Sequence, residues 1–261
     1  MRISQHTLAS ILTLALVSTF FINSASAQGV KMGLSVTPNA SWMVSTDYDH
    51  VPGESQMNFG FEFVTDFMFE ENLAFSTGVH VFNTGGNLSY LVVDAVDDDY
   101  LLTVSRGYNL RYVEIPLTFK MRTKEIGYST IYGRFGLGLG MNIRSEAEEA
   151  RYRSWNEVSN GVWAPYSTTG SPVSDIIEVQ NDVRLFRSSM VIGGGVERSL
   201  GGTSSLVIGV NYNVGFSNSH KDITQVKIDN ENLPVVVGNE VSLSEMKGHD
   251  SFLELCIGLI F

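Results

Sequence analysis

The sequence predicts an all-β fold: an eight-stranded, antiparallel, up-and-down transmembrane β-barrel with short periplasmic turns and long extracellular loops. Three observations predict it. Apolar residues recur at every second position along most of the 261-residue chain, with little sustained 3.6-residue periodicity, so strands are the building unit. The segments marked in this way are mostly 11 to 16 residues long, above the ~5–6 of soluble strands and enough for a tilted bilayer crossing of ~9–11 residues. The connections between them alternate strictly between short and long, which sorts turns to one rim and loops to the other.

Composition sets the outer bounds. The chain is 43% hydrophobic and only 17% charged, enough for one domain of barrel size. Its single cysteine, Cys256, leaves no intramolecular disulfide framework. The formal net charge of −11 argues against a nucleic-acid partner, whose backbone rewards the opposite sign.

At the start, Met1-Arg2-Ile3, the apolar run Leu8 to Ile22 and the small residues Ala25-Ser26-Ala27 read as a cleaved signal peptide over residues 1–27. The expected junction lies between Ala27 and Gln28, and residues 28–261 form the barrel domain. The run is shorter than the ~20 residues of a spanning helix. No cysteine near the junction suggests a lipid anchor.

The expected strands, in order, are Val30 to Trp42, Asn58 to Phe69, Leu73 to Asn83, Tyr108 to Met121, Tyr128 to Ile143, Leu185 to Arg198, Ser204 to Phe216 and Ser251 to Phe261. Pro38 marks the first as bent or interrupted, and Pro116 suggests a bulge in the fourth. Short connections are expected at Glu70-Glu71-Asn72, Arg122 to Gly127 and Ser199 to Thr203. The long ones span 43–57, 84–107, 144–184 and 217–250, without obvious internal structure. The first three carry a net charge of −3 each and 217–249 carries −2, so nearly all the negative charge lies on the long-loop rim. That charge keeps exposed loops soluble and also offers a docking surface for a protein or a divalent cation. Asp97-Asp98-Asp99 is the sharpest local cluster, though it lacks the alternating ligands and glycine turn of an EF-hand.

The fifth strand decides which face is inside. Ile131, Phe135, Leu137, Leu139, Met141 and Ile143 share one face; Tyr132, Arg134, Gly136, Gly138, Gly140 and Asn142 share the other. Three glycines and one charge make a poor solvent surface but suit the crowded interior of a narrow barrel, so the bulky face meets lipid. Strands two, four, seven and eight read alike, and Phe67, Phe69, Phe75, Phe119 and Phe261 form an aromatic girdle near the short turns. The inward set is then a polar plug of Glu62, Asp66, His80, Glu114, Lys120, Arg134, Glu197 and Glu254. Buried charge is costly unless paired, so Lys120 and Arg134 should each meet carboxylates, with Arg134 as the hub because its planar fork can hold two. The excess of acids implies water in the lumen or a carboxyl that keeps its proton.

"RYVEIPLTFK" (Arg111 to Lys120), "YGRFGLGLG" (Tyr132 to Gly140), "VIGGGVE" (Val191 to Glu197) and "FLELCIGLIF" (Phe252 to Phe261) resemble the PorT-like outer-membrane β-barrel family of Bacteroidota, with Glu114-Ile115-Pro116 at its Glu-Ile-Pro step. The resemblance runs across the mature chain, strongest from the fourth strand onward. It implies an eight-stranded barrel in the cell outer membrane and a link to type IX secretion and gliding.

No catalytic, metal or cofactor site is expected. Ser76 and His80 share one face of strand three, but that face is inward, away from acyl chains. His220 and His249 lack a nucleophile-elbow or metal-ligand context. Gly193-Gly194-Gly195 opens no helix and so cradles no phosphate. Phe261 resembles the C-terminal signal read by the outer-membrane assembly machinery. The expected function is a non-enzymatic outer-membrane barrel, bounded by membrane lipid, whose acidic loops bind or position a protein partner. The alternatives are a structural envelope barrel without a dedicated partner and a lipid-A-modifying enzyme.

Overall fold

The computed structural model describes residues 29–46, 49–159, 162–166, 173–221, 223–229, 233–237 and 240–261. The expected signal peptide and its Ala27–Gln28 junction lie outside the described residues. Eight wall strands run in chain order. β1 has two segments, Val30–Val36 and Asn39–Ser45, and β2 has two, Gln56–Asn58 and Gly60–Glu70. They are followed by β3 (Leu73–Val93), β4 (Tyr100–Arg122), β5 (Ser129–Ser159), β6 (Phe186–Gly201), β7 (Ser204–Gly215) and β8 (Gly248–Ile260). Each pairs antiparallel with its sequence neighbours, and β8 returns to β1, pairing Ile260 with Gly33 and Ile257 with Val36. The ring is therefore closed and leaves no edge in the bilayer.

Alternation sets the faces. On β5, Ile131, Phe135, Leu137, Leu139, Met141 and Ile143 are exposed on the outer wall, whereas Tyr132, Arg134 and Asn142 are buried. The same outward apolar rows continue through Phe61 and Phe63 of β2, Ile115 and Leu117 of β4, Ile208 and Val210 of β7, and Leu253 and Leu255 of β8. Near the short turns Phe75 meets Phe119 edge-on at 5.9 Å and Phe119 lies 6.0 Å from Phe135, an interfacial aromatic cluster. Inward glycines make room: a Cβ on Gly138 would collide with the Glu114 carboxyl and Ser189, and one on Gly209 with the Tyr132 hydroxyl. The short turns use left-handed backbone where sequence permits it, at Gly127, Gly201 and Gly202, and also at the exposed Tyr128 (φ 71°).

Pro38 does interrupt β1. Around the break Thr37 and Gly60 exchange backbone hydrogen bonds, 2.8 and 3.0 Å, so the wall stays sealed. Pro116 produces no bulge. The ladder between β3 and β4 resumes in the same register on either side of it, Thr77 with Leu117 and His80 with Glu114. The missing donor removes rungs without adding a residue. The β4–β5 ladder shifts register elsewhere, once between Leu101 and Leu102 and once where Tyr112 pairs with Asn142 but Arg111 with Arg144, which leaves Ile143 as the extra residue.

The second and third long connections are not structureless. β3, β4 and β5 run on well past Asn83, Tyr108 and Ile143 and rise as a sheet beyond the apolar girdle, flanked by His50–Pro52 on β3 and by Val162–Pro165 and Val173–Glu178 on β5. Here the sense of the alternation reverses. Leu88, Tyr90, Val104, Tyr108, Leu110 and Ala147 point inward, while Asn87, Ser105, Gly107 and Glu148 point outward. The inward set packs with Met43, Phe82, Met246 and Phe252 into an apolar core across the extracellular mouth. Water replaces lipid as the solvent of the outer face, so burial rewards the opposite pattern.

Candidate functional site

The polar groups on the inward face of the wall form layers down the lumen. Nearest the short turns, the Lys120 ammonium donates to Asp66 and lies within an ion pair of Glu197, both at 2.6 Å, 4.7 Å from the centre of the Tyr132 ring. Arg122 also pairs with Glu197, and the Ser76 hydroxyl donates to Asp66. In the middle, Arg134 donates to Glu62 and Asn211, each at 2.9 Å, and lies 3.6 Å from Glu254. Asn211 donates in turn to Glu254 at 2.8 Å. His80 is 3.4 Å from Glu254 and 3.1 Å from the Thr37 hydroxyl. Only a void of about 20 Å³, lined by Glu62, Lys120, Tyr132 and Arg134 among others, separates these two layers, room for one water.

Glu62, Asp66, His80, Glu114, Lys120, Arg134, Glu197 and Glu254 are all buried. Glu114, however, does not join the Arg134 group. It belongs to a third layer centred on Arg187, which sequence reasoning missed. Arg187 donates to Glu114 at 2.7 Å, to Asp250 at 2.9 Å and to Asn213 at 2.8 Å, with Ser189 donating to Glu114 and Thr84 to Asp250, both at 3.0 Å. Its guanidinium also lies over the rings of Phe82, Tyr112 and Phe252 at 5.5–5.7 Å. Step-of-two counting back from Glu197 on β6 reaches Arg187, and from Glu254 on β8 reaches Asp250, so the signal was available. Both residues sit at the ends of the apolar rows, where the expected strands were already giving way to loops.

Above this layer Arg106 pairs with Glu149 and, at 2.9 Å, with Asp182. These contacts lie outside the membrane, and the neighbouring Arg151 and Arg106 hold the Glu149 carboxyl below its ordinary value against the opposing effect of burial. At the tip, Asp97, Asp98 and Asp99 bring carboxylate oxygens within 4.8 Å of one another, with Asp97 3.8 Å from Arg153. At the other end, the periplasmic mouth is an open vestibule of about 460 Å³ lined by Lys31, Arg122, Glu125, Tyr128, Glu197 and Phe261.

Chemically, Lys120, Arg134 and Arg187 each span carboxylates from two different strands and so brace the wall across its interior. Ser76 and His80 share the lumen face but are partnered elsewhere, the hydroxyl with Asp66 and the imidazole with Thr37 and Glu254. The sequence matches the family model described as outer membrane protein beta-barrel domain over residues 19–221. The chain belongs to that family. As an outer membrane protein beta-barrel it sits in the cell outer membrane, with its long loops outside and its short turns in the periplasm. Solved structures similar to this barrel include Ail of Yersinia pestis (13% identity, 89% of this chain and 99% of that chain covered, TM-score 0.36). Neisserial surface protein A is another (10%, 89% and 98%, TM-score 0.38), as is the outer membrane protease OmpT of Escherichia coli (8%, 89% and 96%, TM-score 0.41). Among curated proteins none matches the sequence.

Proposed function

We propose that this outer-membrane barrel has no catalytic role of its own and acts by presenting its acidic extracellular sheet and loops to a protein partner. The observation that carries this reading is the division of labour along the barrel axis. The lumen is packed with paired charges and capped by an apolar core, which suits a scaffold. The chain's net negative charge lies instead on the long-loop side, spread over its four long connections, with Val96, Asp98 and Asp99 exposed at one tip. The PorT-like motifs at Arg111 to Lys120 and Tyr132 to Gly140 support placing that partner in type IX secretion and gliding.

A photo-crosslinking residue at Val96, used on intact cells, tests the partner reading. A discrete adduct that disappears when Asp97, Asp98 and Asp99 are changed to Asn is expected; absence of an adduct, or one indifferent to the charges, favours a barrel that only anchors the envelope. Cargo export in a deletion strain tests the secretion link, and undiminished export removes it. Lipid A analysis of the same strain covers the enzymatic alternative, since a lost modification would overturn the non-catalytic reading. Phe261 is proposed to serve as the assembly signal. It closes β8 with reciprocal backbone bonds to Met32, at 2.8 and 3.0 Å, and points outward. Its removal should leave unfolded chain outside the membrane fraction.

A further inference from the structure

We infer that Arg111 and Arg144 form a binding site on the outer wall for the phosphate of an outer-leaflet lipid headgroup. Three features of the wall converge there. Level with the outer edge of the girdle, Val81 of β3, Val113 of β4 and Met141 of β5 are cross-strand partners and form an apolar row. The next row up is Asn83, Arg111 and Arg144, again cross-strand partners. The wall therefore changes from hydrocarbon-facing to polar at this row, the level at which lipid phosphates begin.

The bulge is what brings the second arginine to this surface. Because Ile143 is the extra residue, Ile143 and Arg144 both point outward, one toward the acyl chains and the other above them. Had Ile143 taken a regular rung opposite Arg111, Arg144 would have turned into the barrel. The result sets two like charges directly opposite each other on neighbouring strands, an arrangement that costs stability unless an anion lies between them.

Neither guanidinium is fully used by the protein. Arg111 donates through Nε to Asn83 Oδ1 at 2.8 Å, and among the described residues its two terminal amino groups have no partner. Arg144 pairs with Glu146 through one amino group, and its side chain is 58% exposed. Glu146 and its cross-strand partner Glu178 lie one row farther from the hydrocarbon, so the cationic side of the cluster faces the membrane. Two planar donors side by side can each offer a forked pair of hydrogen bonds to phosphate oxygens. Stems of this length can lie along the adjacent apolar row while their heads reach the phosphate.

The test uses the full chain refolded in detergent and reads retained lipid by native mass spectrometry after addition of diphosphoryl lipid A, of the same lipid dephosphorylated, or of inorganic phosphate. The wild type should retain the diphosphoryl lipid, and R111Q/R144Q should retain about tenfold less or lower still. E146Q, which releases Arg144, should retain more; it keeps the test informative should the double variant fold poorly. Equal retention of the dephosphorylated lipid, no change in E146Q and in R111Q/R144Q, or displacement of the lipid by millimolar inorganic phosphate would each overturn the assignment.

Discussion

Arg187 and Arg134 illustrate what a single side chain decides in this lumen. Each is a buried cation whose desolvation is offset by the carboxylates from other strands that meet it, Glu114 and Asp250 in one case, Glu62 and Glu254 in the other. Arg187→Leu leaves Glu114 and Asp250 facing each other without a cation and should destabilise the barrel by about 3–5 kcal/mol, read as a lower temperature for the heat-modifiable shift in gel mobility. Glu114→Gln in the same chain removes one of the two carboxylates left without a cation and should recover part of that loss. Gly138→Val tests the space rather than the charge: its side chain would occupy the position of the Glu114 carboxyl, at a cost of about 1–3 kcal/mol. At the extracellular end, His220 is buried with its ring centre 5.2 Å from that of Tyr108 and 6.4 Å from that of His50, and among the described residues neither of its ring nitrogens has a hydrogen-bond partner. Burial, then the charges of His50 and Arg106, lowers its pKa from 6.5 to about 3. The folded form thus favours neutral imidazole, so its contribution is present above pH 6.5 and is lost as pH falls from 6.5 toward 3. Trypsin-independent proteolysis of the fourth long connection, followed across that range, should accelerate in the wild type and lose much of its pH dependence in His220→Leu.

At the level of the strand, the solvent outside the wall decides how legible the sequence is. β6, β7 and β8 begin and end within a few residues of where alternation alone places them, because large lipid-facing side chains start and stop there. The same criterion ends β3, β4 and β5 at Asn83, Tyr108 and Ile143, short of their true extent. Beyond these points the alternation persists with its sense reversed, as in Asn87, Leu88, Ser89 and Tyr90, and a search for outward bulk reads this as loop. The expected bulge at Pro116 failed for a related reason: a missing amide removes rungs, whereas a bulge needs an inserted residue, and Ile143 is that residue. The lumen layers were legible where parity could be followed from a well-marked strand and obscure at Arg187 and Asp250, beside the loops. Deleting Ile143 gives a direct test. The ladder becomes regular at this step, with Asn142 still opposite Tyr112 and Arg144 still opposite Arg111, so every side chain of β5 beyond it keeps its face. The extracellular sheet should keep its wild-type protease resistance and the membrane portion its heat-modifiable mobility; new protease sensitivity above Arg144 would mean that Ile143 is not the extra residue.

For the whole molecule, the stacked layers make the barrel a plugged cylinder, open at the periplasmic vestibule and closed by the core around Tyr108 and Phe252. Planar-bilayer recordings of the reconstituted chain should show no discrete conductance steps; regular openings would mean that the layers around Arg134 and Arg187 part more easily than their pairing implies. The prolonged hairpins have a further outcome. From Asn83 to Val96 the chain advances by roughly 40 Å along β3 and the start of the turn at about 3.3 Å per residue, and after strand tilt this is still on the order of 30 Å. An antibody or a phage reaching the living cell would then meet the aspartate-rich crest of this protein before the lipid surface around its wall.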